Sequence, residues 1–242
     1  MTDTAQEFAY DAAAVHAATD RLLVSVAKLD DEAVGEPSLL PGWSRGHVLA
    51  HLARNADALA NLFAWARTGI RTPMYATPAA RDADIERDAD RPLAVHLEDL
   101  RSSAERWETA CSALGPERLS YEVEMRNGIV ERAGRLPFRR LAEVELHHVD
   151  LGVGYTVDHL ATEYVDAELA FLAEQRLKGH PDVAALELCT DDGRSWRTGR
   201  ADGTPLTVSG SPTALVGWLT GRSNGAGLTT ANGAGLPELP DR

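Results

Sequence analysis

The run over residues 40–62, LPGWSRGHVLAHLARNADALANL, leaves this chain little choice of fold. Pro41 and Gly42 break the preceding segment, and Trp43 supplies a large apolar anchor. Ser44 can then cap a helix by accepting from a free N–H of its first turn. Beyond it Val48, Leu49, Leu52, Leu59, Leu62 and Phe63 recur at helical spacing, an apolar stripe fit for the core of a bundle. The pattern runs to about Thr68, before Gly69. His51 lies on the border of the stripe, one turn after His47 and one turn before Asn55. Taken alone, a helical histidine in that position reads as an ordinary hydrogen-bonded side chain.

Three further stretches repeat the pattern. Residues 8–29 place Ala14, Ala18, Leu22, Val26 and Leu29 near one helical face. Pro92 suits a first helical position, where its missing N–H costs nothing. Leu93, Leu97, Leu100, Ala104 and Trp107 then trace a helix that stops before Gly115 and Pro116. Pro137 opens the fourth, which ends near Gly152. Four long amphipathic helices joined by loops describe a bundle. Between them, residues 70–78 are loop-like, and the charged run 79–90 suits a short helix. Arg81 in that run reads either as a solvated residue or as an anion contact near the mouth of the bundle. Residues 121–125 alternate like a strand or extended connector before the turn signal Arg126, Asn127, Gly128.

After Gly154 the texture changes. A helix over 161–178 is stopped by Gly179 and Pro181, and short strands fit 185–190, 195–198 and 205–209. Ser211 and Pro212 begin a last helix, and the tail from Ser223 is rich in Gly, Asn and Pro. The expected architecture is α+β and multidomain: a helical bundle over 1–154, then a small α+β domain over 155–242.

Net charge narrows the function classes. At -13 over 242 residues, the chain lacks the basic stripe of a nucleic-acid surface. No apolar run approaches the roughly 20 residues needed to span a bilayer, and the polar, acidic N-terminus is unlike a signal peptide. Cys111 and Cys189 have no metal-type spacing and read as reduced thiols of a cytoplasmic protein.

The fourth helix adds the chemistry. In RRLAEVELHHVDLG, residues 139–152, Glu143 and His147 are four apart and lie one above the other. With His51 they would form a His2Glu set that suits zinc and leaves a position open. Iron, nickel or manganese would also fit imidazole and carboxylate donors. Asp150 could orient His147 from behind. Glu145 and His148, three apart, offer a rival pair, because Leu141, Val144 and Leu151 put His148 near the centre of the apolar face and His147 at its edge. Helical spacing alone leaves both open.

LPGWSRGHVLAHLARNADAL, AEVELHHVDL and the late WLTGR together resemble the mycothiol-dependent maleylpyruvate isomerase family, in order and over nearly the whole chain. The resemblance implies a DinB-like four-helix metal-binding domain joined to a smaller α/β domain. It implies metal ligands at His51, Glu143 and His147, favouring that pair over Glu145 and His148. It marks Arg222, which closes WLTGR, as an active-site and cofactor-contacting residue from the second domain; by itself Arg222 reads as a helix-terminal cation. The implied reaction converts maleylpyruvate to fumarylpyruvate, cis to trans, with mycothiol and a divalent cation. Metal-activated thiolate would add to the alkene, the bond would rotate, and the thiolate would leave. Arg222 first and Arg81 second are the cations expected to face carboxylate and enolate charge. Two other classes remain at this point: a different mycothiol-dependent transferase with the same metal site, and a non-enzymatic carrier of small apolar ligands.

Overall fold

The computed structural model of the chain describes residues 3–240. The chain divides into two compact units, Met1–Val153 and Gly154–Arg242. In the first, chain order runs α1 (Asp3–Val26), α2 (Asp31–Gly35), α3 (Arg45–Thr68), α4 (Pro78–Ala89), α5 (Leu93–Ser112), β1 (Glu122–Glu124), β2 (Val130–Arg132) and α6 (Leu136–Asp150). The helices α1, α3, α5 and α6 close a ring, α3 packing on α5 and α6, and α1 on α6 and α5. Leu22, Leu52, Leu59, Phe63, Trp107 and Phe138 fill the space between them. The stripe read from α3 is thus the spine of the bundle.

The element ends follow local chemistry. Ser44 Oγ accepts from His47 N at 3.3 Å while Ser44 N donates to His47 Nδ1 at 3.2 Å, a reciprocal cap that sets where α3 begins. At its far end Gly69 takes a left-handed φ of 75° and returns its N–H to Trp65 O. The first helix stops at Val26, short of the expected Leu29, because Asp30 starts α2 by accepting from Ala33 N at 2.9 Å. The alternating run at 121–125 is one arm of a short hairpin, β1 pairing antiparallel with β2, an arm that sequence reading missed.

α4 is bound to the bundle by charge and by close approach. Asp88, buried, receives Arg54 at 3.0 Å, Arg87 at 2.8 Å and Arg91 at 2.5 Å. Arg54 continues to Asp99 on α5 at 2.6 Å, so one arginine links three helices. Gly46 on α3 lies under the Ala89 carbonyl, where a Cβ would have no room.

The second unit holds α7 (Thr162–Phe171), β3 (Leu186–Thr190), β4 (Ser195–Thr198), β5 (Leu206–Gly210), α8 (Pro212–Leu219) and β6 (Thr229–Thr230). The helix read over 161–178 is α-helical only to Phe171 and continues as a π turn, Leu172–Arg176, closed by Leu177 N to Leu172 O. The strands lie in the order β4-β3-β5-β6, with β3 antiparallel to β4 and parallel to β5. β6, which pairs antiparallel with β5, falls in the tail that composition alone marks as irregular. α8 packs on α7 and on β3 and β5. Cys111 and Cys189 are free thiols. Among the described residues, no helix is long and apolar enough to cross a membrane.

Candidate metal centre

Two facing helical turns carry the site. The Ser44–His47 cap fixes the phase of α3, and one turn later His51 is buried and directed at α6. From α6, Glu143 and His147 come off the same face four residues apart. His51 Nε2 lies 3.0 Å from Glu143 Oε2 and 3.1 Å from His147 Nε2. His147 Nε2 lies 3.3 Å from Glu143 Oε2. Among the described residues, these three form a group whose metal-type donor atoms all lie within 4.8 Å of one another.

Glu145 and His148 point elsewhere. Both are almost fully buried, and Glu145 Oε1 accepts from Arg21 Nη2 at 2.6 Å, which ties α6 to α1. Neither joins the group around His51.

The surroundings decide how each donor is charged. His147 Nδ1 is 2.8 Å from Asp150 Oδ2. Burial pushes the His147 imidazole down, but its bonds to Asp150 and Glu143 outweigh that and leave it raised. Burial lowers His51 to about 4 against the pull of Glu143, so it is neutral at pH 7. Glu143 is pushed up by burial and down by its bonds to His147 and His51, and the second effect holds it well below the usual carboxylate range. At neutral pH the site therefore offers an ionised carboxylate and at least one neutral imidazole.

Arg81 on α4 reaches the same place. Its Nη2 is 3.3 Å from His51 Nδ1, its Nη1 donates to Asp82 Oδ1 at 2.7 Å, and its guanidinium carbon is 5.9 Å from the centroid of the Trp43 ring. Tyr75 lies in the same electrostatic neighbourhood: its phenol is raised first by burial and then by Glu143, with Arg81 opposing. Trp43 packs edge-on to His51 at 5.6 Å between ring centroids. The apolar anchor before α3 is thus a wall of the site.

Arg140 is the residue that sequence reasoning missed. It sits one turn before Glu143, buried, and its Nη1 donates to Leu52 O and to Asn55 Oδ1, each at 2.9 Å. Burial lowers its pKa to about 10, with Glu143 the largest opposing influence. The clamp ties the turn of α3 that follows His51 to the turn of α6 that precedes Glu143. Its only sequence signal is the register 140, 143, 147, which on its own is too common to single it out.

Arg222 belongs to the second unit. α8 ends in a Schellman turn: Arg222 N bonds Gly217 O at 2.8 Å, Gly221 N bonds Trp218 O at 2.9 Å, and Gly221 takes a φ of 72°. The WLTGR ending is therefore a turn that needs its glycine, and it presents Arg222 with Nη1 donating to Thr220 O at 2.6 Å.

Comparison with known proteins bears on this geometry. The family profile described as "Mycothiol maleylpyruvate isomerase N-terminal domain" matches residues 15–152, and the "MDMPI C-terminal domain" matches residues 159–242. A crystal structure of a mycothiol-dependent maleylpyruvate isomerase superposes with a TM-score of 0.90 at 28% identity, covering 100% of both chains. A histidine-to-alanine mutant of such an isomerase gives 0.90 at 27% identity, again over 100% of both. No curated protein sequence matches this one.

Proposed function

The chain belongs to the mycothiol maleylpyruvate isomerase family, and on that premise we propose that it converts maleylpyruvate to fumarylpyruvate with mycothiol and a zinc ion. The observation that carries the reading is the convergence of His51, Glu143 and His147. Zinc bonded at about 2.0–2.1 Å in tetrahedral geometry spaces its ligand atoms about 3.3–3.4 Å apart. The three separations here, 3.0, 3.1 and 3.3 Å, are close to that figure. Two imidazoles and one carboxylate also form a donor set of catalytic zinc, with a fourth position open. When bound, the cation would hold a thiol as thiolate at neutral pH, and mycothiol would supply that thiol as the nucleophile whose reversible addition frees the cis double bond to rotate.

The chain's own residues do the rest. Asp150 takes the Nδ1 proton of His147 into a hydrogen bond and so leaves Nε2 with its lone pair. Arg140 sets the spacing of the two ligand-bearing turns and keeps positive charge beside Glu143. Trp43 excludes water from one side of His51. The substrate's carboxylates call for fixed cations, and we assign Arg222 and Arg81 to them; the guanidinium fork matches a carboxylate in a way an ammonium cannot. Full turnover in Arg222→Lys would remove Arg222 from that role. The free thiols Cys111 and Cys189 fit a reducing cytoplasm, where we place the protein.

Metal stripping tests the reading. Protein treated with a chelator and freed of it should lose turnover of maleylpyruvate in the presence of mycothiol, and zinc should restore it. Undiminished turnover by metal-free protein would rule out the assigned role of the triad.

A further inference from the structure

α4 is held against α3 by polar contacts more than by apolar burial. Of its 12 residues only Ile85, Asp88 and Ala89 are buried, so little apolar surface fixes its register. Three contacts show that it runs antiparallel to α3. Gly46 meets the Ala89 carbonyl, His47 Nε2 lies 3.2 Å from Glu86 Oε2, and His51 Nδ1 lies 3.3 Å from Arg81 Nη2. One end of α4 therefore stands at the candidate metal centre and the other ends on Asp88. A buried carboxylate needs charged donors on its lone pairs, and Arg54, Arg87 and Arg91 supply them to Asp88. Arg54 comes from α3, one turn past His51, and both Arg54 and Arg91 continue to Asp99 on α5. The cluster thus fixes α4 to two helices of the bundle at once.

We propose that Asp88 is a positioning residue for the reaction: the three arginines gathered on it hold α4 in the register that keeps the Arg81 guanidinium beside the triad, so Asp88 governs binding of the anionic substrate through Arg81. This rests on the assignment of Arg81 to a substrate carboxylate. Positions 81 and 88 lie on one helix two turns apart, about 10 Å along its axis. A slip or tilt released at Asp88 is carried along the helix to Arg81. Arg81 has little else to fix it in the bundle. Its ion pair is with Asp82, the next residue of α4, and moves with the helix. Its contacts outside α4 are the His51 ring and, at 5.9 Å, the face of Trp43. Misplacing a positioning group by about 1 Å is enough to cost roughly 100-fold. Asp88 is buried under α4 and acts on the substrate only by setting where Arg81 stands.

A double-mutant cycle on zinc-loaded protein, with saturating mycothiol and varied maleylpyruvate, separates this from a general loosening of the fold. Arg81→Met should raise KM for maleylpyruvate about 10–100-fold, the loss of one charge-assisted contact. Asp88→Asn keeps the shape, removes the charge and should raise the same KM about tenfold, with bound zinc and KM for mycothiol unchanged. Added to Arg81→Met, it should change KM by less than about twofold, because the group it positions is gone. Arg91→Gln removes one partner of Asp88 and should act in the same sense but less strongly. It carries the same cycle if circular dichroism shows Asp88→Asn unfolded. Apart from turnover, ¹⁵N relaxation of the Arg81 side-chain Nε–H should show a more mobile guanidinium in Asp88→Asn. Equal multiplication of KM in both backgrounds would overturn the proposal, since Asp88 would then not act through Arg81. So would folded Asp88→Asn with wild-type KM, or with Arg81 as rigid as in the wild type. A wild-type KM in Arg81→Met would instead remove the assigned role of Arg81, and this inference with it.

Discussion

Asp150 makes one hydrogen bond at 2.8 Å to a histidine of the triad, and that bond decides which nitrogen of His147 faces the cation. Asp150→Asn should weaken zinc affinity roughly 10–100-fold without unfolding the bundle, as chelator competition would register; unchanged affinity would mean His147 is oriented by packing alone. The i, i+4 relation of Glu143 and His147 and the border position of His51 were legible in the sequence, because helical periodicity fixes which side chains share a face. The contacts of Arg81 and Arg140 were not, since they depend on how separate helices are offset along their axes. Another residue-scale effect lies on α1. Burial raises the Asp11 carboxyl to about 6, with Arg135 opposing and Glu7 adding. The folded state thus holds this proton more tightly than the unfolded chain, so the stability it contributes is full below about pH 4 and is lost as pH rises through 6. A shift of that size corresponds to about 3 kcal/mol at most, and partial exposure cuts it to about 1–2 kcal/mol. Asp11→Asn should therefore gain on the wild type between pH 4.5 and 7.5 in urea melts by ~1–2 kcal/mol; parallel losses in the two proteins would contradict the assignment.

α4 shows how an element can be present in the sequence while its purpose is not. The charged run at 79–90 was legible as a short helix, and the structure puts it at Pro78–Ala89 with Thr77 as cap. That its Arg81 end closes over His51 follows from two residues outside the run: Arg54, which pairs with buried Asp88, and the glycine at position 46. Gly46 sits in the first turn of α3 beside the cap. Its role is steric, since a methyl group there would strike the Ala89 carbonyl. Gly46→Ala should cost about 1–3 kcal/mol of stability through overpacking and move α4 outward. A melt unchanged from wild type would show that α4 approaches α3 less closely than the geometry requires. The same limit explains β2 and β6: strands of three and two residues carry too little alternation to be seen before their partners are known.

At the scale of the molecule, the architecture was the most legible property. Four long amphipathic stretches admit little but a bundle, and the switch to short strands past Gly154 marks a different kind of packing. Full-length superposition on an isomerase at a TM-score of 0.90 with 28% identity shows that this pattern is kept when most side chains differ. The acidic balance of the chain, -13 overall, makes the local arginines matter more. An anionic substrate meets a repulsive average field, so its binding must rest on cations held at the site. The direct test follows maleylpyruvate by ultraviolet absorbance with zinc-loaded protein, with and without mycothiol, and identifies the product by NMR. The account predicts fumarylpyruvate formed at many turnovers per chain with mycothiol, none without it, and mycothiol recovered unchanged. No isomerisation in the presence of both mycothiol and zinc, or equal rates with and without the thiol, would contradict it.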